Sequence, residues 1–217
     1  MVAVRESTVG DLIVDAGRHR RLAPGEMLFV EGDHSRHVYA VVDGRVRIFL
    51  TMPSGRELLI GLKMPFDEFG ELSALDGRPR SASAAAHGPA VVAVLHAEEF
   101  LRMITESPDL LVAVCQNLSA QLRRANQRLL TRNSDSALVR TGRMLVEVAS
   151  LLMRHVEETD VYEVPITQAD LAEWVGTTRE STARALARFR RDGLVETCRG
   201  RIVVLDVAGL SRLVTQC

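Results

Sequence analysis

Glu71 stands nine positions before Arg80, and Arg80 is followed at once by Ser81, within the run Phe69 to Ala82, Phe-Gly-Glu-Leu-Ser-Ala-Leu-Asp-Gly-Arg-Pro-Arg-Ser-Ala. A carboxylate accepts hydrogen bonds from a sugar hydroxyl. An arginine fork beside a serine hydroxyl and free backbone N–H groups matches a phosphate in both geometry and charge. The turn-rich bridge Asp76-Gly77-Arg78-Pro79 separates the two ends. Ribose at one end and phosphate at the other describe a nucleotide. The alternative is that Glu71 and Arg80 only pair with each other, but a buried pair of that kind is costly without further partners.

A second constellation lies near the other end of the chain. Thr167-Gln168-Ala169-Asp170 is a capping-box signature that starts a helix through Leu171, Ala172, Trp174 and Val175, and Gly176 ends it. Thr177-Thr178-Arg179-Glu180 starts another, running through Phe189 to Asp192-Gly193. Two short helices joined at a glycine form a helix-turn-helix unit. At about 100° per residue, Thr182, Ala185, Leu186 and Phe189 share an inward face. Arg179, Glu180, Ala183, Arg184 and Arg191 cluster on the opposite face. Arginine bonds guanine O6 and N7 in bidentate fashion, and glutamate accepts from the cytosine amino group. Ala183 and Ala187 are small enough for close approach to a duplex, while Arg188, Arg190 and Arg199 are placed for phosphates. Glu196 to Leu205, turning at Arg199-Gly200-Arg201, reads as a β-hairpin wing. The plainer alternative makes Glu180 a capping acid and the arginines a solvated face.

The elements that position these groups change character along the chain. Met27–Val30, Val38–Val42, Val46–Leu50 and Glu57–Ile60 are short apolar strands separated by turn residues. Asp43-Gly44 predicts a tight type I′ hairpin between two of them. Ala84 to Leu95 continues the strands, so the first third reads as a small antiparallel roll. From Pro108 the pattern turns helical. Leu111, Cys115, Leu118, Leu122, Ala125, Leu129 and Arg132 are spaced alternately by four and three, a seam about three heptads long. Arg123, Arg124, Gln127 and Arg128 keep its flanks polar, which favours a parallel two-helix dimer over a helix packed only on its own roll. Asn133-Ser134-Asp135-Ser136 predicts a hinge. Ala137–His155 reads as a further helix, Glu157–Asp160 as a solvated loop and Tyr162–Val164 as a short strand closed by Pro165.

The Phe69–Ala82 run resembles the phosphate-binding cassette of the cyclic-nucleotide-binding domain, and Gly25-Glu26…Glu31-Gly32-Asp33 resembles its opening; together the likeness covers residues 22 to 100. Ile166 to Leu205 resembles the DNA-binding domain of the cyclic-AMP receptor protein/FNR family. The founding member of that family is a standard example of helix-turn-helix docking. The resemblance implies an α+β chain. An effector roll with its dimerisation helix occupies 1–132, the helix itself 108–132, and a winged helix-turn-helix domain occupies 133–217. It implies that Glu71 meets a ribose hydroxyl and that Arg80 and Ser81 hold a cyclic phosphate, with Gly70 and Leu72 lining the turn. Asn126 is the candidate partner for the base, although the threonine common there in binders of cyclic AMP is missing. Met64-Pro65-Phe66-Asp67 also departs from the pattern, since a glycine turn is common at that place. The expected DNA-contacting residues are Thr178, Arg179, Glu180, Thr182, Arg184, Arg188 and Arg199, with Arg179, Glu180 and Arg184 on the three base-reading positions of a TGTGA-like half-site. Implied partners are double-stranded DNA, a second copy of the chain and RNA polymerase. The implied effector is cyclic AMP or another cyclic nucleotide. An effector-independent regulator, one sensing cyclic di-GMP or a haem-bound gas, and a regulatory module of an enzyme are the alternatives.

Composition excludes other classes. The chain of 217 residues is 47% hydrophobic and 25% charged, an ordinary globular balance. Neither a signal peptide nor a membrane-spanning run is visible, so the expected location is the cytoplasm. Cys115, Cys198 and Cys217 are scattered, and no cysteine precedes Cys115, which argues against an iron–sulfur sensor. His34 and His37 alone do not make a metal site, and no metal is expected. No catalytic constellation is present, so catalysis is not expected. Net charge is −1, yet residues 179–201 carry seven arginines against three acids. A basic end on a slightly acidic body suits docking of a polyanion at one face.

Overall fold

A computed structural model describes residues 8–55, 57–134, 136–153, 161–164 and 166–216. It divides into two compact units, Met1–Leu50 with Ile60–Arg124 and Thr51–Leu59 with Ala125–Cys217.

The roll has eight strands among the described residues. They are β1 (Arg18–Leu22), β2 (Met27–Phe29), β3 (His37–Asp43), β4 (Val46–Thr51), β5 (Glu57–Lys63), β6 (Glu68–Phe69), β7 (Ser83–Ala86) and β8 (Ala90–His96). Two four-stranded sheets result, ordered β1-β8-β3-β6 and β2-β7-β4-β5. Leu22, Phe29, Tyr39, Val41, Val46, Phe69, Ala84 and Val92 from both sheets form one core. The other face of the first sheet, through Val38, Ala40, Ala93 and Leu95, packs under helices α1 (Val9–Ala16), α3 (Ala97–Glu106) and the start of α4 (Pro108–Ser134). β3 and β8 are therefore covered on both sides, which is why they read as continuous apolar runs rather than alternating ones. A short helix, α2 (Glu71–Asp76), follows β6.

The Asp43-Gly44 hairpin expected from sequence does not form. β3 pairs with β6 and β8, whereas β4 pairs with β7, so the turn is a corner between sheets. Only Gly44 has positive φ (76°), and a type I′ turn needs two such residues. A side chain at Gly44 would also collide with the Pro89 carbonyl, so close approach as well as conformation demands glycine. The unusual Met64–Asp67 stretch is a tight turn: Met64 N donates to Asp67 Oδ2 at 2.9 Å, and Asp67 N to the Met64 carbonyl at 2.9 Å. Phe66 takes φ 69° there, a left-handed conformation that costs a non-glycine residue about 1–2 kcal/mol.

Helix α1, not expected above, carries Val9, Leu12, Ile13 and Ala16 at helical spacing, and Thr8 and Asp11 form a complete capping box, with Asp11 N to Thr8 Oγ1 at 3.2 Å and Thr8 N to Asp11 Oδ2 at 2.7 Å. On α4, Val114 is buried against the roll and Leu118 packs beside it, while Leu111, Cys115, Leu122 and Ala125 are exposed. The heptad stripe is thus split between an inward edge and a bare one, and the side chains of Leu129 and Arg132 lie outside the described residues. The expected hinge falls where α4 ends at Ser134 and α5 (Ala137–Met153) begins, with Asp135 outside the described residues.

The second unit packs α5 with α6 (Gln168–Val175), α7 (Arg179–Arg191) and α8 (Val207–Gln216) beside a three-stranded sheet ordered β10-β11-β9. Its strands are β9 (Tyr162–Val164), β10 (Val195–Cys198) and β11 (Arg201–Val204). Leu145, Ile166, Leu171, Leu186, Phe189, Ile202 and Leu210 are all buried at its centre. Pro165, His155 and the Glu157–Asp160 loop of the sequence reading lie outside the described residues.

Candidate effector pocket and nucleic-acid interface

The cassette closes on itself through backbone bonds. Arg80 N donates to the Asp33 carbonyl and Gly32 N to the Arg80 carbonyl, each at 2.9 Å, so the Glu31-Gly32-Asp33 turn clasps the strand-like segment carrying Arg80. Gly70, at φ 80°, lets the chain pass from β6 into α2 while its carbonyl lies against the Arg80 guanidinium; a Cβ at Gly70 would sit 2.7 Å from Arg80 Nη1.

These constraints bring Gly70, Glu71, Leu72, Arg80 and Ser81 to one cavity of about 90 Å³, together with Phe29, Phe69, Ile60, Lys63 and Gln121. Arg80 is only 3% exposed. Its Nη1 donates to the Gly70 carbonyl at 2.6 Å, and its Nη2 to Ser35 Oγ at 2.8 Å and the His37 carbonyl at 2.6 Å. The guanidinium also stacks over Phe29, 4.2 Å from the ring centroid. Burial lowers its pKa, opposed by Tyr39 and by the carboxylates of Glu71 and Asp33. Arg80 Nε is buried and has no hydrogen-bond partner, an unmet donor within the fold. Glu71 is 4% exposed and forms no ion pair with Arg80; its Oε1 accepts instead from Gln121 Nε2 at 3.1 Å. Ser81 and Leu72 are exposed at the rim.

Asn126 is exposed on α4, and among the described residues the α4 side chain lining the cavity is Gln121. Sequence reasoning missed Gln121 and its neighbour Asn117, whose Nδ2 donates to the buried Glu68 Oε1 at 2.6 Å. Gln121 follows Val114 by seven residues and so shares its inward face, which the burial of Val114 reveals.

Burial pushes the Glu68 carboxyl up from the usual carboxylate range; Lys63 opposes this, Glu71 adds to it, and the Asn117 bond opposes it. A carboxyl that binds its proton more tightly when folded favours folding at low pH and penalises it above the folded-state pKa. Glu68→Gln keeps an acceptor for Asn117 and removes the charge. It is expected to stabilise the chain near neutral pH, with the gain fading as the pH falls through the raised pKa towards the ordinary glutamate value. Urea midpoints at about pH 7 and about pH 4 check this.

In the second unit, Thr167 and Asp170 form the expected capping box of α6, and Gly176 ends that helix in the left-handed conformation. Thr178 caps α7, its Oγ1 accepting from Ser181 N at 3.2 Å. Glu180's own backbone N–H and the Thr178 side chain hold the Glu180 carboxyl below its usual range. Arg179, Glu180, Ala183, Arg184 and Ala187 are exposed along one side of α7. Arg184 Nη2 makes one contact, to Ser181 Oγ at 3.0 Å. Thr182 departs from its place in the expected DNA-contacting set. It is 0% exposed, on the same face as Ala185, Leu186 and Phe189, because its helical angle points it into the core. Arg188 pairs with Asp192 at 2.7 Å, and Arg190 Nη1 donates to Thr197 Oγ1 of β10 at 3.1 Å. Arg199 is exposed in the turn between β10 and β11.

Among the described residues, no cluster of three or more His, Cys, Asp or Glu is placed to hold a metal ion, and no helix is long and apolar enough to cross a membrane.

A nucleotide-type cassette on a β-roll and a winged helix-turn-helix unit define a transcription regulator with an effector domain. Residues 19–107 match the cyclic nucleotide-binding domain, and residues 146–213 the Crp-like helix-turn-helix domain. The cyclic AMP receptor protein of Thermus thermophilus is 32% identical over 195 residues, which cover 89% of this chain and 87% of that protein. The transcriptional regulator LdrP of the same organism is 29% identical over 193 residues, covering 89% and 95%. Of solved structures, FixK2 from Bradyrhizobium japonicum is similar with a TM-score of 0.78 at 21% identity, covering 91% of this chain and 97% of that one. A CRP-family regulator from Thermus thermophilus is similar at 0.71 and 28% identity, covering 90% and 96%. The chain belongs to the CRP/FNR family of transcriptional regulators.

Proposed function

We propose that the chain is a homodimeric, sequence-specific DNA-binding regulator whose effector is a cyclic nucleotide, cyclic AMP first among them. The observation that carries this reading is a convergence: Glu71, Arg80 and Ser81 line one cavity, and Arg179, Glu180 and Arg184 stand exposed at the start of a capped helix. Glu71 receives the ribose hydroxyl, Arg80 and Ser81 receive the phosphate, and the three α7 residues read base edges in a TGTGA-like half-site. The bare Leu111, Cys115, Leu122 and Ala125 edge of α4 supports pairing with a second copy. Such a dimer presents its two reading helices about 34 Å apart, one turn of DNA. RNA polymerase is the further partner that a regulator of this class addresses.

A second reading has its own support. Three hydrogen bonds already engage the Arg80 fork within the protein, and the cavity is far below the roughly 300–1,000 Å³ of pockets that enclose a small ligand. An effector-independent regulator fits those facts. Retardation of a palindromic TGTGA…TCACA duplex, with and without cyclic AMP and cyclic GMP, separates the readings. Tighter binding with nucleotide supports the first, and full affinity without it supports the second. Equal affinity for a scrambled duplex sinks both.

A further inference from the structure

Two acid–amide pairs tie α4 to the roll at consecutive turns. Asn117 holds Glu68 at 2.6 Å and Gln121 holds Glu71 at 3.1 Å, and all four residues lie in the first unit. The two ties differ in one respect: Gln121 and Glu71 line the cavity, and Asn117 does not. Resting on the effector reading above, we propose that Gln121 is a latch on α4 that a nucleotide's ribose hydroxyl competes with for the Glu71 carboxylate.

Glu71 is 4% exposed, so water does not freely supply replacement donors. A buried carboxylate left short of donors is costly, and Gln121 meets that need while the pocket is empty. A ribose hydroxyl donating to the same carboxylate removes the need and frees the amide. Gln121 sits on the same continuous helix as residues 125–134, which belong to the second unit, so a change at this bond acts on an element that runs through both. A ligand shifts an equilibrium only by its differential interaction with the two states, and the Gln121–Glu71 bond is such a difference.

The test uses the full chain with cyclic AMP and cyclic GMP as probes, calorimetry for nucleotide affinity and retardation of the palindrome for DNA affinity. The readout is the ratio of DNA affinities with and without nucleotide, which a merely structural residue does not move. Gln121→Leu is expected to tighten nucleotide binding about tenfold, raise DNA affinity of the nucleotide-free chain and bring the ratio towards one. Gln121→Glu, which sets a like charge beside Glu71, is expected to collapse the ratio in the same way. Asn117→Leu breaks the neighbouring tie and is expected to lower the unfolding midpoint with the ratio unchanged. Nucleotide binding with an unaltered ratio in both Gln121 variants overturns the latch alone. No nucleotide binding by wild type or either Gln121 variant overturns the effector reading and the latch with it.

Discussion

Arg80→Ala is expected to abolish nucleotide binding and, at the same time, to destabilise the chain by about 3–5 kcal/mol, the scale for breaking a buried charged network from one side. The second effect is invisible from the sequence, where Arg80 reads only as a phosphate ligand. In the structure its fork holds the Gly70 and His37 carbonyls and the Ser35 hydroxyl, and its plane covers Phe29. Alanine strips those acceptors of their donor and opens a void beside the shared core of the two sheets. Arg80→Lys separates the roles: the charge remains, but a single ammonium cannot reach acceptors that a planar fork spans. Lysine is therefore expected to recover part of the stability and little of the nucleotide affinity. Urea unfolding and calorimetry read the two quantities independently, while low-salt, nonspecific DNA binding stays largely intact. Wild-type nucleotide affinity in Arg80→Ala would remove Arg80 from the pocket chemistry and leave it a structural hub.

That dual role marks where the sequence stops being readable. The cassette was legible because a turn, an acid and an Arg-Ser pair must recur at fixed spacing for a nucleotide to fit, and the structure does gather Gly70, Glu71, Leu72, Arg80 and Ser81 at one cavity. The helix-turn-helix was legible for a local reason: capping boxes and a left-handed glycine are short-range signals, and α6, α7 and the β10–β11 wing appear close to their expected limits. Pairing across the roll was not. Asp43-Gly44 has the composition of a hairpin turn, but β3 is claimed by β8, a partner some fifty residues away in sequence whose apolar run matches it on both faces. Long-range burial outweighs local turn preference there. Gln121 was hidden for a similar reason, because a polar residue on an inward helix face declares a partner only once the opposite element is placed. Thr182 differs: it was expected among the DNA-contacting residues, yet the helical angle alone already turns it inward.

Arg184→Ala is expected to lower affinity for the matched palindrome by about 1–3 kcal/mol per half-site while changing binding to scrambled duplexes little. The guanidinium is exposed and anchored only to Ser181 Oγ, so most of its fork is available to guanine O6 and N7. Anchoring through one hydroxyl limits the rotamers that must be frozen on docking, which favours a base-reading role over a loose phosphate contact. Arg199→Ala is the contrast. On the exposed β10–β11 turn it is proposed to contact phosphate, so its loss should weaken all duplexes alike and shallow the salt dependence by about one phosphate per half-site, a slope change of about 1.8 for the dimer in log–log terms. Arg188 and Arg190 are expected to lie between these cases, since Asp192 and Thr197 already hold their guanidinium groups and DNA must displace or share those bonds. Titrating salt against matched and scrambled duplexes for Arg184→Ala and Arg199→Ala therefore distinguishes base reading from charge neutralisation. Identical losses on both duplexes for Arg184→Ala would reassign that residue to the phosphates and leave Arg179 and Glu180 as the candidate readers of sequence.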